Sequence, residues 1–185
     1  MLNINNMQIK LYNDSMLSDL EAFISEAADQ GIENNSTMEK LALRSNSGLY
    51  VIYYDNKIIS MTHTHDFYEY YPEAWRIFCR TATLRQYRAK GFGRRRGLIS
   101  CSGITSWLVP YMVDYAMDRG AKYILFTTNT GDGGTASSEK LDKHFHKCKD
   151  IDPTYSLYDE REIYGVKQSV WRLDRRDIQK VEGII

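Results

Sequence analysis

No stretch of this 185-residue chain approaches the roughly 18 consecutive apolar residues that span a membrane, so the sequence offers no transmembrane helix. Neither sign of charge is in excess. Lys+Arg and Asp+Glu stand at 24 each, and without a net field any pull toward nucleic acid or anionic lipid must be local. Cysteine is scarce: Cys79, Cys101 and Cys148 are an odd number without Cys-x-x-Cys or Cys/His ligand spacing. They are read as reduced thiols, with no disulfide framework and no structural zinc. The opening MLNINNMQIKLYNDS lacks the basic flank and apolar core of a signal peptide, and a cytoplasmic location is expected. What the chain does have is material for a core. At 43% hydrophobic and 26% charged residues it is read as one globular domain over residues 1–185, with a frayed tail at about 174–185.

Periodicity gives the order of elements. Gln8 to Tyr12 alternates as a strand, and Asp14 or Ser15 caps a helix with apolar residues at Leu17, Leu20, Phe23, Ile24 and Ala27, ending at Gly31. A second, shorter helix is expected around Met38 to Ala42. Leu49 to Tyr54 and Lys57 to His65, separated by Asp55 and Asn56, read as a hairpin. Tyr68 to Pro72 forms an aromatic loop before a third β-rich run, Trp75 to Leu84. A helix follows from Ile104 to Arg119, kinked by Pro110 or starting near it and stopped by Gly120. Strand Lys122 to Thr128, a glycine-rich loop, helix Ser137 to Lys147, and strands Tyr155 to Tyr158 and Tyr164 to Leu173 complete a mixed α/β order, β-α-α-β-β-β-α-β-α-β-β.

The most informative segment is TATLRQYRAKGFG, a strand running into Arg88-Ala89-Lys90-Gly91-Phe92-Gly93. Glycines let main-chain amides approach an anion and a following helix N-terminus adds a favourable dipole, so the unit fits a phosphate cradle; a tight turn needing permissive backbone is the plainer reading. With the element order, the segment resembles the Gln/Arg-x-x-Gly-x-Gly/Ala pyrophosphate loop of the GNAT superfamily of N-acyltransferases, matched here by Arg88, Gly91 and Gly93. The resemblance implies a mostly antiparallel central sheet flanked by helices and acetyl-CoA, or another acyl-CoA, as co-substrate. It implies that amides from Arg88 to Gly93 hold the pyrophosphate, that the main chain of Thr83 and Leu84 pairs with the pantetheine amides, and that Asn129 lies beside the pantetheine arm. Two places depart from the pattern. An insertion of about 94–103 separates the loop from its helix and carries Arg94, Arg95 and Arg96, and Phe145 stands where relatives carry a proton-donating tyrosine. Protonation of the leaving thiolate then falls to His144, His146, Tyr155, Tyr158 or water.

An amine acceptor with a pKa near ~10 must lose a proton before attack, and His63 and His65 share one strand face at i, i+2 as candidate bases. A main-chain N–H around Thr81 to Thr83, with Thr83 the candidate, is expected to stabilise the oxyanion at a bulge in the fourth strand. Arg76 and Arg80 are expected on one strand face, paired either with an internal acid such as Glu69 or Glu73 or with an anionic acceptor, for which Arg80 is the candidate. Tyr68 and Tyr70 are candidate walls for that acceptor. His63-x-His65 with Asp66, or His144-x-His146 with Cys148, supplies too few ligands for a metal site.

These features point to an N-acetyltransferase acting on a small amine or amino-acid-like acceptor, as a monomer or homodimer. Three other readings stand beside it. One uses Cys101 in Ser100-Cys101-Ser102-Gly103 as an acyl-carrying nucleophile. Another is a nucleic-acid-binding module built on Arg85, Arg88, Lys90 and the arginines 94–96, which the neutral total charge weighs against. The third is a CoA-binding protein without turnover.

Overall fold

A computed structural model describes residues 4–32, 47–88, 104–130 and 136–174. Strand β1 spans Met7–Leu11 and leads through a 3-10 turn, Asp14–Met16, into helix α1, Leu17–Asp29. The cap lies earlier than the expected Asp14 or Ser15: the Asn13 side chain accepts from the Ser15 N–H at 3.0 Å, and the first residue before α1, Met16, makes no side-chain cap. Leu20, Phe23 and Ala27 form the buried stripe of α1, and Gly31 at φ +63° turns the chain away. The helix expected around Met38 to Ala42 lies outside the described residues.

Strands β2, Ser47–Tyr54, and β3, Lys57–Asp66, form the expected hairpin. Asp55 and Asn56 take φ values of 48° and 62°, the left-handed pair that matches the twist of two antiparallel strands. Strand β4 spans Ala74–Thr83 and ends in a 3-10 turn, Arg85–Tyr87. A second 3-10 segment, Ile104–Leu108, opens into helix α2, Val109–Met117. Pro110 sits in the first turn, where its missing N–H has no helical partner to lose, and Gly120 at φ +82° follows the last turn. Strand β5, Tyr123–Asn129, helix α3, Ala136–Cys148, and strands β6, Tyr155–Ile163, and β7, Val166–Leu173, complete the order. Strand β6 runs beyond its expected end at Tyr158. It is an edge strand, and its charged run Asp159-Glu160-Arg161-Glu162 is what an edge tolerates and a central strand would not.

The sheet order is β1-β2-β3-β4-β5-β7-β6, antiparallel throughout except for β4 beside β5. This is the mixed, mostly antiparallel α/β architecture read from the sequence. Alternate residues of β2 sort into two clusters: Tyr50 and Ile52 join α2 and α3 residues such as Met112 and Phe145, while Val51 and Tyr53 join Leu20, Phe23 and Ala27 of α1. Helix α1 therefore covers one face and α2 with α3 the other. A third cluster, Phe67, Tyr71, Ala74, Leu125, Ile163 and Val170, lies over the β5-β7-β6 end. No helix among the described residues is long and apolar enough to cross a membrane.

Three buried phenols tie the sheet to its surroundings. Tyr53 donates to Asp19 Oδ2 at 2.7 Å and Tyr71 to Asp159 Oδ2 at 2.8 Å. Burial first, and then the hydrogen bond to a carboxylate, raises both above the ordinary phenol range, and burial pushes Tyr50 up to about 12. A pKa raised on folding gives stability that is complete below the unfolded value of about 10 and is lost as pH climbs toward the folded value. Tm should accordingly fall across the pH range above 10. The Tyr53→Phe/Tyr71→Phe double variant should flatten that fall; an equally steep decline in wild type and double variant would contradict the assignment.

Candidate active site

Strands β4 and β5 pair for three rungs only, Ala74 with Tyr123, Trp75 with Ile124 and Arg76 with Leu125. Beyond Arg76 the two strands share no further rung, although β4 continues to Thr83 and β5 to Asn129. The cause lies in β4. Against β3 it pairs His65 with Arg76, His63 with Cys79 and Met61 with Ala82, so two residues of β3 twice face three of β4. These are successive bulges, with Phe78 at φ 59° and Arg80 at φ 50°. A left-handed backbone at a non-glycine residue costs about 1–2 kcal/mol, so the surrounding packing imposes both. Bulging bends β4 along β3, whereas β5 stays with β7 from Leu125 to Asn129. A wedge opens between residues 77–83 of β4 and 126–129 of β5.

The main chain at the end of β4 shows which groups face the wedge. Leu84 donates its N–H to Ile59 O at 3.0 Å, and Ser60 Oγ donates to Ala82 O at 3.1 Å, so both residues turn toward β3. By the alternation of an extended strand, the N–H and C=O of Thr83 point the other way, into the wedge. The Thr83 hydroxyl lies 2.8 Å from Ser60 Oγ, which leaves the residue's main chain as the part that faces the opening. Leu84 has its main chain engaged within the protein. Its N–H is spent on Ile59 and its C=O accepts from Tyr87 N at 2.9 Å. Arg88 folds back, Nε donating to Thr83 O at 2.8 Å. Ala89, Lys90, Gly91, Phe92 and Gly93 lie outside the described residues, as do the 94–103 insertion and Cys101. Asn129 ends the opposite arm, its N–H held by Ser138 Oγ at 2.9 Å.

His63 and His65 share one face as expected, with ring centroids 5.7 Å apart and exposures of 1% and 4%. His65 Nδ1 contacts the Asp66 carbonyl. A carbonyl can only accept, so Nδ1 carries the proton and Nε2 is the basic nitrogen of the neutral ring. The bulges break the alternation on which one arginine face depended. The row opposite His65, His63 and Met61 is Arg76, Cys79 and Ala82, and Arg80 falls in the second bulge, off that row. Glu73 pairs with Lys122 at 2.5 Å, and among the described residues no carboxylate lies within ion-pair distance of Arg76. Its Nη2 instead donates to Thr127 Oγ1 and, at 3.5 Å, to Gln168 Oε1. Tyr70 is half-buried, its ring on Phe67 at 5.6 Å and its oxygen accepting from Tyr164 N, while Tyr68 is exposed.

Phe145 is sealed in a cluster of rings, 4.6 Å from Tyr155, 5.1 Å from Phe126 and 5.4 Å from Trp171. A tyrosine there would bury a hydroxyl among apolar groups, so the substitution does not simply restore a proton donor. Tyr155 is itself 2% exposed within this cluster. His146 Nε2 reaches Ser169 Oγ at 3.1 Å and Asp142 Oδ2 at 3.7 Å through the same nitrogen, which makes a local network under α3 and not a relay. His144 lies beside Cys148 Sγ at 3.8 Å, and Tyr158 packs on Tyr71. Thr127 and Gln168 escaped the sequence reading. The only signal was polar residues interrupting apolar strands, TTN after YILF and Gln168 ahead of SVW. No metal-holding group of His, Cys, Asp or Glu occurs among the described residues.

No family model matches the chain, and no curated protein matches it. Solved structures do. The GNAT domain of S. lividans PAT is similar at a TM-score of 0.58 and 10% identity, covering 89% of each chain. An acetyltransferase of the GNAT family from Streptococcus pneumoniae is similar at 0.52 and 14% identity, over 90% of this chain and 97% of that one. An aminoglycoside acetyltransferase from an uncultured soil metagenomic sample, solved with sisomicin, is similar at 0.51 and 17% identity, over 86% and 94%. Likeness of this breadth at such identities is a likeness of architecture: the chain has the fold of the GNAT acetyltransferases.

Proposed function

We propose that this protein is an acyl-CoA-dependent N-acyltransferase that acetylates a small amine or amino-acid-like acceptor by direct transfer. The observation that carries the reading is the β4-β5 wedge, with the main chain of Thr83 turned into it and the His63-His65 row on the adjoining strand. Acyl-CoA, when bound there, supplies an activated thioester. The N–H of Thr83 steadies the negative charge that develops on the thioester oxygen. His65 Nε2, with His63 beside it, takes the proton of the acceptor ammonium, directly or through water, so that the neutral amine attacks. The carbon-nitrogen bond forms as the carbon-sulfur bond breaks. With a proton-free Phe145 and Tyr155 enclosed by rings, the thiolate takes its proton from water.

Thermal-shift titration with acetyl-CoA, longer acyl-CoAs and an unrelated nucleotide tests binding, and thiol release with a panel of amines tests turnover. If acetyl-CoA binds only the folded state, Tm should rise with its concentration by mass action. Stabilisation without turnover of any amine would leave a CoA-binding protein. Stabilisation by oligonucleotide alone would replace both readings with a nucleic-acid module.

A further inference from the structure

We propose that Arg76 recognises a carboxylate on the acceptor, so that the substrates are amino acids or closely related amino carboxylates and not simple amines. The inference rests on the acyltransferase reading and names the acceptor class of the same site.

Arg76 is a cation among neutral groups. All of its hydrogen bonds to described residues leave from Nη2, to the hydroxyl of Thr127 and the amide oxygen of Gln168. Gln168 is oriented for this, because its Nε2 donates to Ile163 O at 3.0 Å and so turns Oε1 toward the arginine. The guanidinium lies 5.4 Å over the Phe67 ring. Its Nε is buried with no hydrogen-bond partner among the described residues. A guanidinium partly withdrawn from water wants an anion, and a planar fork with an unused donor suits a carboxylate.

The position fits the chemistry. Arg76 forms the last rung between β4 and β5, at the point of the wedge, and is the β4 partner of His65. Thr127, Gln168 and Phe67 fix the guanidinium from β5, β7 and the turn after β3. A carboxylate held here would set its α-amine beside the His63-His65 row and toward the open side of the wedge, the alignment that direct transfer requires. Arg80, in the second bulge, lacks this placement.

The experiment compares amino acids with their amides and their decarboxylated amines as acceptors, in wild type, Arg76→Gln and Arg76→Lys, by thiol release with acetyl-CoA. Wild type should prefer the acids over the amides in kcat/KM by about 10- to 100-fold, the worth of a charge-assisted bidentate contact. Arg76→Gln should collapse that ratio toward one while keeping the acetyl-CoA thermal shift. Arg76→Lys should raise KM for the acids at least about tenfold, since a point charge does not replace the fork. Amides and cationic amines reacting as well as acids in wild type would overturn the proposal, with no variant needed. So would an unchanged acid-to-amide ratio in Arg76→Lys, which keeps the charge should Arg76→Gln fail to fold. A wild type with neither an acetyl-CoA shift nor turnover of any amine would instead sink the acyltransferase reading beneath it.

Discussion

Replacing Trp171 with alanine is expected to destabilise the protein by about 4 kcal/mol, within the range of buried aromatic truncations. At this chain length that corresponds to a fall in Tm of roughly 10 °C. The indole is fully buried in β7, and its neighbours come from three other elements, α3, β6 and β5. Phe145 and His146 of α3 lie 5.4 Å and 4.9 Å away, centroid to centroid, and Tyr155 of β6 lies 5.7 Å away. Its N–H donates to Thr128 Oγ1 at 2.8 Å, and that hydroxyl donates in turn to the buried carboxylate of Asp142 at 2.5 Å. Alanine would open a cavity among rings too rigid to refill it, and would deprive the Thr128 oxygen of its donor. Trp171→Phe separates the contributions. It keeps most of the ring volume, so its loss should be about 1–2 kcal/mol, the hydrogen-bond share. Urea unfolding of the two variants checks the order; equal losses would mean that the polar chain, and not the packing, holds α3 against the sheet.

The elements legible in the sequence are those whose signals are local. Asp55-Asn56 between two β-rich runs specifies a hairpin because both residues tolerate the left-handed backbone that the turn needs, and Pro110 and Gly120 bracket α2 by what each does to a helix end. One bulge is expected in β4, around Thr81 to Thr83, whereas the strand carries two, between Arg76 and Cys79 and between Cys79 and Ala82. WRIFCRTAT contains no glycine, and the left-handed conformations fall on Phe78 and Arg80, where tertiary packing overrides local preference. That displacement is why Arg76 and Arg80, an even spacing apart, do not share a row. Likewise His63 and His65 were found by simple alternation, whereas Thr127 and Gln168 become partners of Arg76 only because β7 inserts between β5 and β6. No local pattern announces that crossover. Strand β6 runs longer than its sequence predicts for the related reason that its charges belong to an edge, and being an edge is a property of the whole sheet.

Substituting proline at Thr83 is expected to lower kcat/KM by about 100-fold or more, the usual consequence of losing one main-chain donor to a developing oxyanion, while the sheet survives. The argument turns on which way each N–H faces. Leu84 N–H goes to Ile59, so Thr83 N–H points away from β3 and into the wedge, where no strand pairs with it. Thr83 stands opposite Ser60 of β3 with its N–H turned outward, so proline at 83 removes no inter-strand hydrogen bond, as at a sheet edge. Ala82, opposite Met61, is the contrary case: its main chain faces β3, and Ala82→Pro should unfold the strand's end and lower Tm by several degrees. Thr83→Val serves as the second control, because it removes the hydroxyl that meets Ser60 at 2.8 Å but keeps the N–H, and should retain most of the turnover. Circular dichroism and acetyl-CoA thermal shifts establish that the variants are folded before rates are compared. A folded Thr83→Pro enzyme with wild-type turnover would remove Thr83 from the chemistry. An activity loss as large in Thr83→Val would assign the effect to the Ser60 contact and the packing around it, not to the main-chain donor.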